Sequence, residues 1–292
     1  RFRTWEQIGL PWRAVRTGVH LVHSPGSTMP LCQPVPAVVT IHDTVPWQLA
    51  DEVASPRWYW KLLLPLAFRR CAAVITISDC SRRDLVRLWP WIEAKLHVVP
   101  HGIDRAYLEV EPGTLESELA IYGVRAPYMV YIGGIIPRKR LSWALRVWGH
   151  LADARVQLVV CGVDKHCWPE VIAQVAEANR TRLCLLPFVP EEQMPRLYQN
   201  AVAVLYPTLY EGFGLPALEA QAVGTPVLFS DVGSLSELKG PAACVLPTDD
   251  LEAWVSCCRR LLAERSDCPQ PIEAARRWAA QFSWDESARK HL

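Results

Sequence analysis

Apolar residues fall along this chain in two alternating rhythms. Short uninterrupted runs read as buried strands: VHLVH (19–23), AVVTIH (37–42), AAVITI (72–77), HVV (97–99), YMVYI (128–132), VQLVV (156–160), RLCLL (182–186), AVAVLY (201–206), TPVLFS (225–230) and AACVL (242–246). Between them lie stretches of helical spacing at 56–70, 79–89, 139–151, 168–178, 191–199, 215–223 and 249–264. Strands that alternate with helices predict an α/β fold of parallel sheets covered on both faces, and continuous rather than two-periodic strands agree with it. Pro65 sits inside the 56–70 stretch, where it is expected to bend or break a helix. A polar stretch with Gly and Pro, 104–127, divides the series. It predicts two domains, 1–108 and 128–270, joined by a linker over 109–127. Helices in 271–292 then cap the second domain or cross back to the first. The chain opens in mid-pattern with RFRTWEQIGLPW, so the first domain is expected to be truncated at its amino end.

Composition narrows the functional classes. Half of the 292 residues are apolar and 21% are charged, with a formal net charge of +1, so no global field points to nucleic acid. Residues 1–105 carry 13 Lys and Arg against 8 Asp and Glu, a modest bias toward a basic first half. Ten cysteines show no CxxC pair and no small-domain framework; reduced, mostly buried thiols of a cytoplasmic protein are the expectation. The sequence holds no signal peptide and no membrane span.

The segment YPTLYEGFGLPALEAQAVGTPVLFSDVGSLSEL (206–238) is the richest in chemistry. An apolar run ends at Tyr206, a turn passes through Gly212 and Gly214, and Pro216 stands where a helix begins. A strand that turns through glycines into a helix presents amides and a partial positive charge, and phosphate is the usual guest. Glu211 and Glu219, eight residues apart, are repelled by a diphosphate; hydroxyls are their natural partners, as in the ribose contact of dinucleotide folds. The segment reads as a nucleotide-sugar cradle. Strand 128–132 repeats the logic: it runs into Gly133 and Gly134, then Pro137 and a basic triplet, Arg138, Lys139 and Arg140, expected in the first turn of a helix. Cations oppose the macrodipole there, so they imply an anion close by. Paired carboxylates also suit glycoside hydrolysis, but a hydrolase has no use for a phosphate-type turn. No GxGxxG follows a strand, which ranks a dinucleotide oxidoreductase low.

GGIIPRK, followed about seventy residues later by EGFGLPALEA, resembles the retaining glycosyltransferase family 4 of GT-B fold. TIHDTVPW (40–47), ITISDCSRRDL (75–85), VVPHGID (98–104) and FSWDESARK (282–290) match in the family's order and cover nearly all of the chain. The resemblance implies two Rossmann-like domains facing across a cleft, with the nucleoside diphosphate sugar mainly on the second and the acceptor mainly on the first. It implies that Lys139 neutralises the diphosphate, that Glu219 holds the ribose hydroxyls and that Glu211 contacts the donor sugar. Gly133, Gly134, Arg138 and the amides of Gly212, Phe213, Gly214 and Leu215 would line the donor site, with Val189 at the base. His42, in the matching TIHD motif, would orient a sugar hydroxyl or stabilise developing charge, whereas His101 reads as a domain-linking turn residue.

Two departures stand out. Many family members carry Arg where this chain has Gly134, so one cation is missing, for which Arg138 or Arg140 could compensate; Pro187 replaces a usual Gly beside the base. The PRK pattern points to a mannosyltransferase-like subgroup and a GDP-mannose-type donor, with a glycan or lipid-linked saccharide as acceptor. No metal or other cofactor is expected. The aromatic, leucine-rich and basic stretch 56–70 is either an ordinary packed helix or an interfacial one that touches the inner face of a membrane. A nucleotide-sugar-binding protein without catalysis is the alternative from another class.

Overall fold

The computed structural model describes residues 2–49, 57–110, 122–151, 155–264 and 272–292. Contacts divide the chain into two units, Arg1–His101 with Ser287–Leu292, and Gly102–Glu286.

The first unit is a four-stranded parallel sheet in the order β1-β2-β3-β4, formed by Val22–Ser24, Ala37–Ile41, Ala73–Thr76 and Leu96–Val98. Val39, Ile41, Val74, Phe68 and Leu85 fill its core, and Trp47 packs edge-on against Trp60, Phe68 and Trp89. Pro65 does not break its helix. A π-turn over Tyr59–Leu63 precedes the α-helix Leu64–Arg70, widening the backbone where the proline ring would clash with the carbonyl four residues back. The same device recurs earlier, with Trp5–Gly9 as a π-turn ahead of Pro11 in the helix Leu10–Thr17.

The second unit is a six-stranded sheet in the order β10-β9-β8-β5-β6-β7, all parallel. Its strands are β5 Tyr128–Ile132, β6 Gln157–Cys161, β7 Leu183–Leu186, β8 Val204–Tyr206, β9 Val227–Ser230 and β10 Ala243–Leu246. From β5 the chain winds outward through β6 and β7; it then returns to β8, beside β5, and winds the other way. The neighbours β5 and β8 thus form a topological switch point, and the crevice beyond their carboxyl ends is where open α/β sheets bind ligands. GGIIPRK follows β5 and PTLYEGFG follows β8.

All ten apolar runs contain strands: Tyr128–Ile132 coincides with its run, and the other ends shift by up to three residues. The basic triplet, by contrast, is not in the first turn of a helix. Pro137–Lys139 form a 3-10 turn, Arg140 adopts a left-handed conformation at φ +55°, and the helix runs Leu141–Gly149. The Arg138 carbonyl explains the shift. It accepts from the Leu209 amide at 2.9 Å, which ties the turn to the β8 loop and takes it out of the helical ladder.

The nine described cysteines are all free; six are buried, while Cys32 is exposed. Among the described residues no helix is long and apolar enough to cross a membrane.

Candidate functional site

The loops after β5 and β8 meet in one ion-pair cluster. Lys139 Nζ lies 2.6 Å from Glu211 Oε1, Arg138 Nη1 lies 3.3 Å from the same oxygen, and all three side chains are largely buried. Arg138 also donates to the Tyr210 carbonyl. Lys139 donates to the Tyr206 hydroxyl at 3.2 Å and lies 5.2 Å from that ring's centre. Charged groups held this far from water interact strongly, and each depends on the others for its solvation. The third cation turns away. Arg140 donates to the Thr248 carbonyl at 2.8 Å and to Asp249 at 2.6 Å, and stacks on Trp143.

Backbone geometry explains why glycines occupy both loops. Gly134 has φ +63°, and a Cβ there would meet the Gly162 carbonyl oxygen at 2.8 Å. The arginine that many family members carry at this position therefore cannot enter this loop without displacing backbone. Of the two candidate cations, Arg138 lies on Glu211 and Arg140 on Asp249. The turn after β8 is pinned from beneath by Ser234, whose hydroxyl lies 2.9 Å from the Glu211 carbonyl and 2.7 Å from that of Phe213. Gly214, at φ +101°, is the residue from which the helix Leu215–Val223 starts. Phe213 directs its ring onto Phe282.

Glu219 lies on that helix in different surroundings. Burial pushes its carboxyl up to about 7, and the charge of Glu191 adds to the effect; the hydroxyls of Tyr198 and Tyr107 work in the other direction. Val189 is buried in the loop beyond β7. In the second unit the fold therefore gathers Arg138, Lys139 and Glu211 with the glycine turns 133–134 and 212–214, and sets Glu219 one helical turn further along.

His42 belongs to the first unit, just after β2. Its Nε2 lies 2.6 Å from the Pro25 carbonyl, which can only accept, so Nε2 carries a hydrogen. The His101 ring stands 5.4 Å away. Burial, with His42 and His291 nearby, lowers the His101 pKa to about 4.

Sequence reasoning missed Tyr206, Tyr131, Ser234 and Gly162. Tyr131 donates to the Gly134 carbonyl at 3.0 Å and lies 3.2 Å from the Lys139 carbonyl, fixing the glycine loop and the lysine backbone together. Both tyrosines were counted as apolar members of strand runs. Their placement at or next to the ends of strands that lead into glycine-containing loops was an available signal.

Comparison with known proteins agrees with this arrangement. The profile described as glycosyl transferases group 1 matches residues 126–264, and that of glycosyltransferase family 4 matches residues 1–107. The O-antigen chain mannosyltransferase B of Escherichia coli is 32% identical over 263 residues, which are 85% of this chain and 67% of that protein. An MMP alpha-(1->4)-mannosyltransferase of Mycolicibacterium hassiacum is 27% identical, over 87% of this chain and 63% of its own length. The chain thus spans about two thirds of the length of these curated relatives. Among solved structures, Anabaena HepE in complex with UDP and glucose superposes with a TM-score of 0.77 at 17% identity, covering 97% of this chain and 80% of that one. WaaG, a glycosyltransferase involved in lipopolysaccharide biosynthesis, superposes at 0.74 with the same identity and coverage. With two parallel sheets of this topology and these relatives, the chain belongs to glycosyltransferase family 4, within the group 1 glycosyl transferases of GT-B fold.

Proposed function

We propose that the chain moves a hexose or deoxyhexose, with retention at the anomeric carbon, from a nucleoside diphosphate sugar to a hydroxyl of a glycan or lipid-linked saccharide. A GDP-mannose-type donor is preferred, since two of the relatives are named mannosyltransferases. The observation that carries the reading is the Lys139–Glu211–Arg138 cluster at the β5–β8 switch point.

In the reaction the bond from the anomeric carbon to the diphosphate breaks, and the leaving group gains a full negative charge. Lys139 and Arg138, with the amides of residues 212–215 at the helix start, offset that charge from fixed positions, which is where preorganised electrostatics contribute most. Gly133 and Gly134 let the backbone approach the phosphates. Two fixed cations make a divalent ion unnecessary in this scheme, and no other cofactor enters. Glu211 takes the donor sugar hydroxyls and stabilises the oxocarbenium-like carbon, Glu219 takes the ribose hydroxyls, and the Val189 backbone meets the base. His42 orients a sugar hydroxyl through Nδ1.

The test is a panel of labelled GDP-, UDP- and dTDP-sugars scored for slow hydrolysis without acceptor and for anomeric configuration on transfer, with and without chelator. Fastest consumption of GDP-mannose with retention is expected. Binding of donors with no turnover would favour the non-catalytic alternative, and failure to bind any nucleoside diphosphate would overturn both.

A cytoplasmic protein touching the inner face of a membrane is the accompanying proposal. Trp58, Leu62 and Leu66 form an exposed stripe at 55%, 65% and 53% exposure along 57–70, and that stretch carries Arg57, Lys61, Arg69 and Arg70 but no acid. An apolar stripe flanked only by cations complements anionic lipid. Co-sedimentation with phosphatidylglycerol vesicles, abolished by Leu62→Glu, is expected; equal recovery of both proteins without lipid binding would remove the idea.

A further inference from the structure

Tyr206 ends β8 with 1% of its surface exposed, and its hydroxyl sits between the two groups on which the donor-site reading depends. Lys139 donates to it at 3.2 Å and contacts Glu211 at 2.6 Å, and the Glu211 charge acts on the phenol. An ammonium only donates and a carboxylate only accepts. The ammonium therefore donates to two acceptors, the phenol oxygen and the Glu211 carboxylate. Burial, reinforced by the Glu211 charge, holds the phenol well above its usual titration range, so it keeps its proton.

We propose that Tyr206 is a positioning residue for the donor diphosphate, its hydroxyl giving the Lys139 ammonium a second acceptor beside Glu211 so that the remaining hydrogen is aimed where a phosphoryl oxygen can take it. The inference rests on the reading that this cluster binds the donor. A lysine side chain has about 2 kcal/mol of rotamer entropy to lose, and Tyr206 on its ammonium with Tyr131 on its carbonyl removes part of that freedom before the ligand arrives. Without the hydroxyl, the ammonium is ordered through Glu211, and the diphosphate bears more of the cost of fixing it.

A buried tyrosine needs a hydroxyl partner wherever it sits. If that were all, losing the hydroxyl would lower stability and weaken every ligand alike. The positioning role instead predicts a loss confined to the distal phosphate. The experiment measures GDP, GMP, UDP and UMP binding by calorimetry on wild type, Tyr206→Phe and Lys139→Met, with thermal midpoints alongside. In Tyr206→Phe the diphosphate affinities are expected to fall roughly 5- to 20-fold, the monophosphate affinities to change less than about twofold, and KM for the donor to rise more than kcat falls. Equal losses for mono- and diphosphates, or no loss, overturn the proposal while Lys139→Met still abolishes the diphosphate preference. If Lys139→Met keeps that preference, the donor-site reading itself fails. Should Tyr206→Phe not fold, 3-fluorotyrosine at 206 weakens the phenol as an acceptor, and a selective loss of diphosphate affinity in the same direction is expected; unchanged selectivity overturns the proposal.

Discussion

Glu211 and Glu219 lie on one continuous turn and helix, yet their surroundings differ in kind. Glu211 faces a lysine and an arginine, and the loop that carries it is anchored by Ser234 and Arg138. Glu219 is pressed among phenols with another carboxylate, Glu191, nearby, and its pKa is raised to about 7. One acid is set by charge pairing and the other by desolvation. The lesson is that a pair of acids at fixed spacing says little about their roles; the groups across the sheet decide them. Glu211 sits where the neighbouring strand β5 delivers cations, and Glu219 one helical turn on, where desolvation is the leading influence.

Neutralising Glu211 breaks that contrast most severely. Glu211→Gln removes the carboxylate that Lys139 and Arg138 share, so we expect stability to fall by about 2–4 kcal/mol, read as a lower urea midpoint. Transfer should drop by roughly 100-fold or more while GDP affinity holds or improves, because the diphosphate no longer competes with the carboxylate. Calorimetry beside a transfer assay checks this. Parallel loss of GDP binding and transfer would mean that Glu211 supports the diphosphate site instead of the sugar.

Glu219→Gln sharpens the contrast through pH. The folded carboxyl titrates near 7 against 4.5 for an ordinary one, so the native state keeps a proton that the unfolded chain releases between those values. The contribution is fully present below pH 4.5 and is lost as pH rises through 7. Above that, wild type carries a desolvated charge that the amide lacks. Glu219→Gln should therefore be more stable than wild type at pH 8, by about 1–2 kcal/mol after allowance for partial solvent access, with the difference vanishing near pH 4.5. Donor binding should behave in the opposite sense: wild-type affinity rises with pH through about 7 as the ribose-binding carboxylate ionises, and the variant's profile is flat. Melting curves and donor titrations at pH 5, 6, 7 and 8 decide it, and parallel profiles for the two proteins would contradict the assignment.

How far the sequence reveals this depends on the range of the contacts. The strands were legible because buried parallel strands are continuous apolar runs, a local property, and Tyr128–Ile132 came out residue for residue. The donor-site candidates were legible because glycine turns and acids keep a local spacing. What escaped depends on neighbours distant in sequence. The 3-10 turn at Pro137–Lys139 is held by an amide seventy residues away, at Leu209, which no helical periodicity reports. Gly162 matters only because Gly134 approaches its carbonyl, and Tyr206 only because Lys139 does. The π-turns ahead of Pro11 and Pro65 were hidden for another reason: a proline in helical spacing signals an obstruction, and the backbone's way around it is settled by packing.

The mildest expected effect concerns the basic triplet, where consecutive residues have unlike fates. Arg138 points at Glu211, whereas Arg140, in its left-handed conformation, reaches the Thr248 carbonyl and an Asp249 that is mostly exposed. An ion pair with one exposed partner contributes little, and stacking on Trp143 adds a similar small amount, so Arg140→Gln should cost about 1 kcal/mol of stability. Its GDP affinity should stay within about twofold of wild type, since at close range direct contact outweighs the summed field of more distant charges. Arg138→Gln, by the same reasoning, should weaken GDP about 10-fold. The pair of variants tests whether these cations act by placement or by number. Equal losses at both positions would show a diffuse basic field at work, and the division of labour drawn from their contacts would then have no functional meaning.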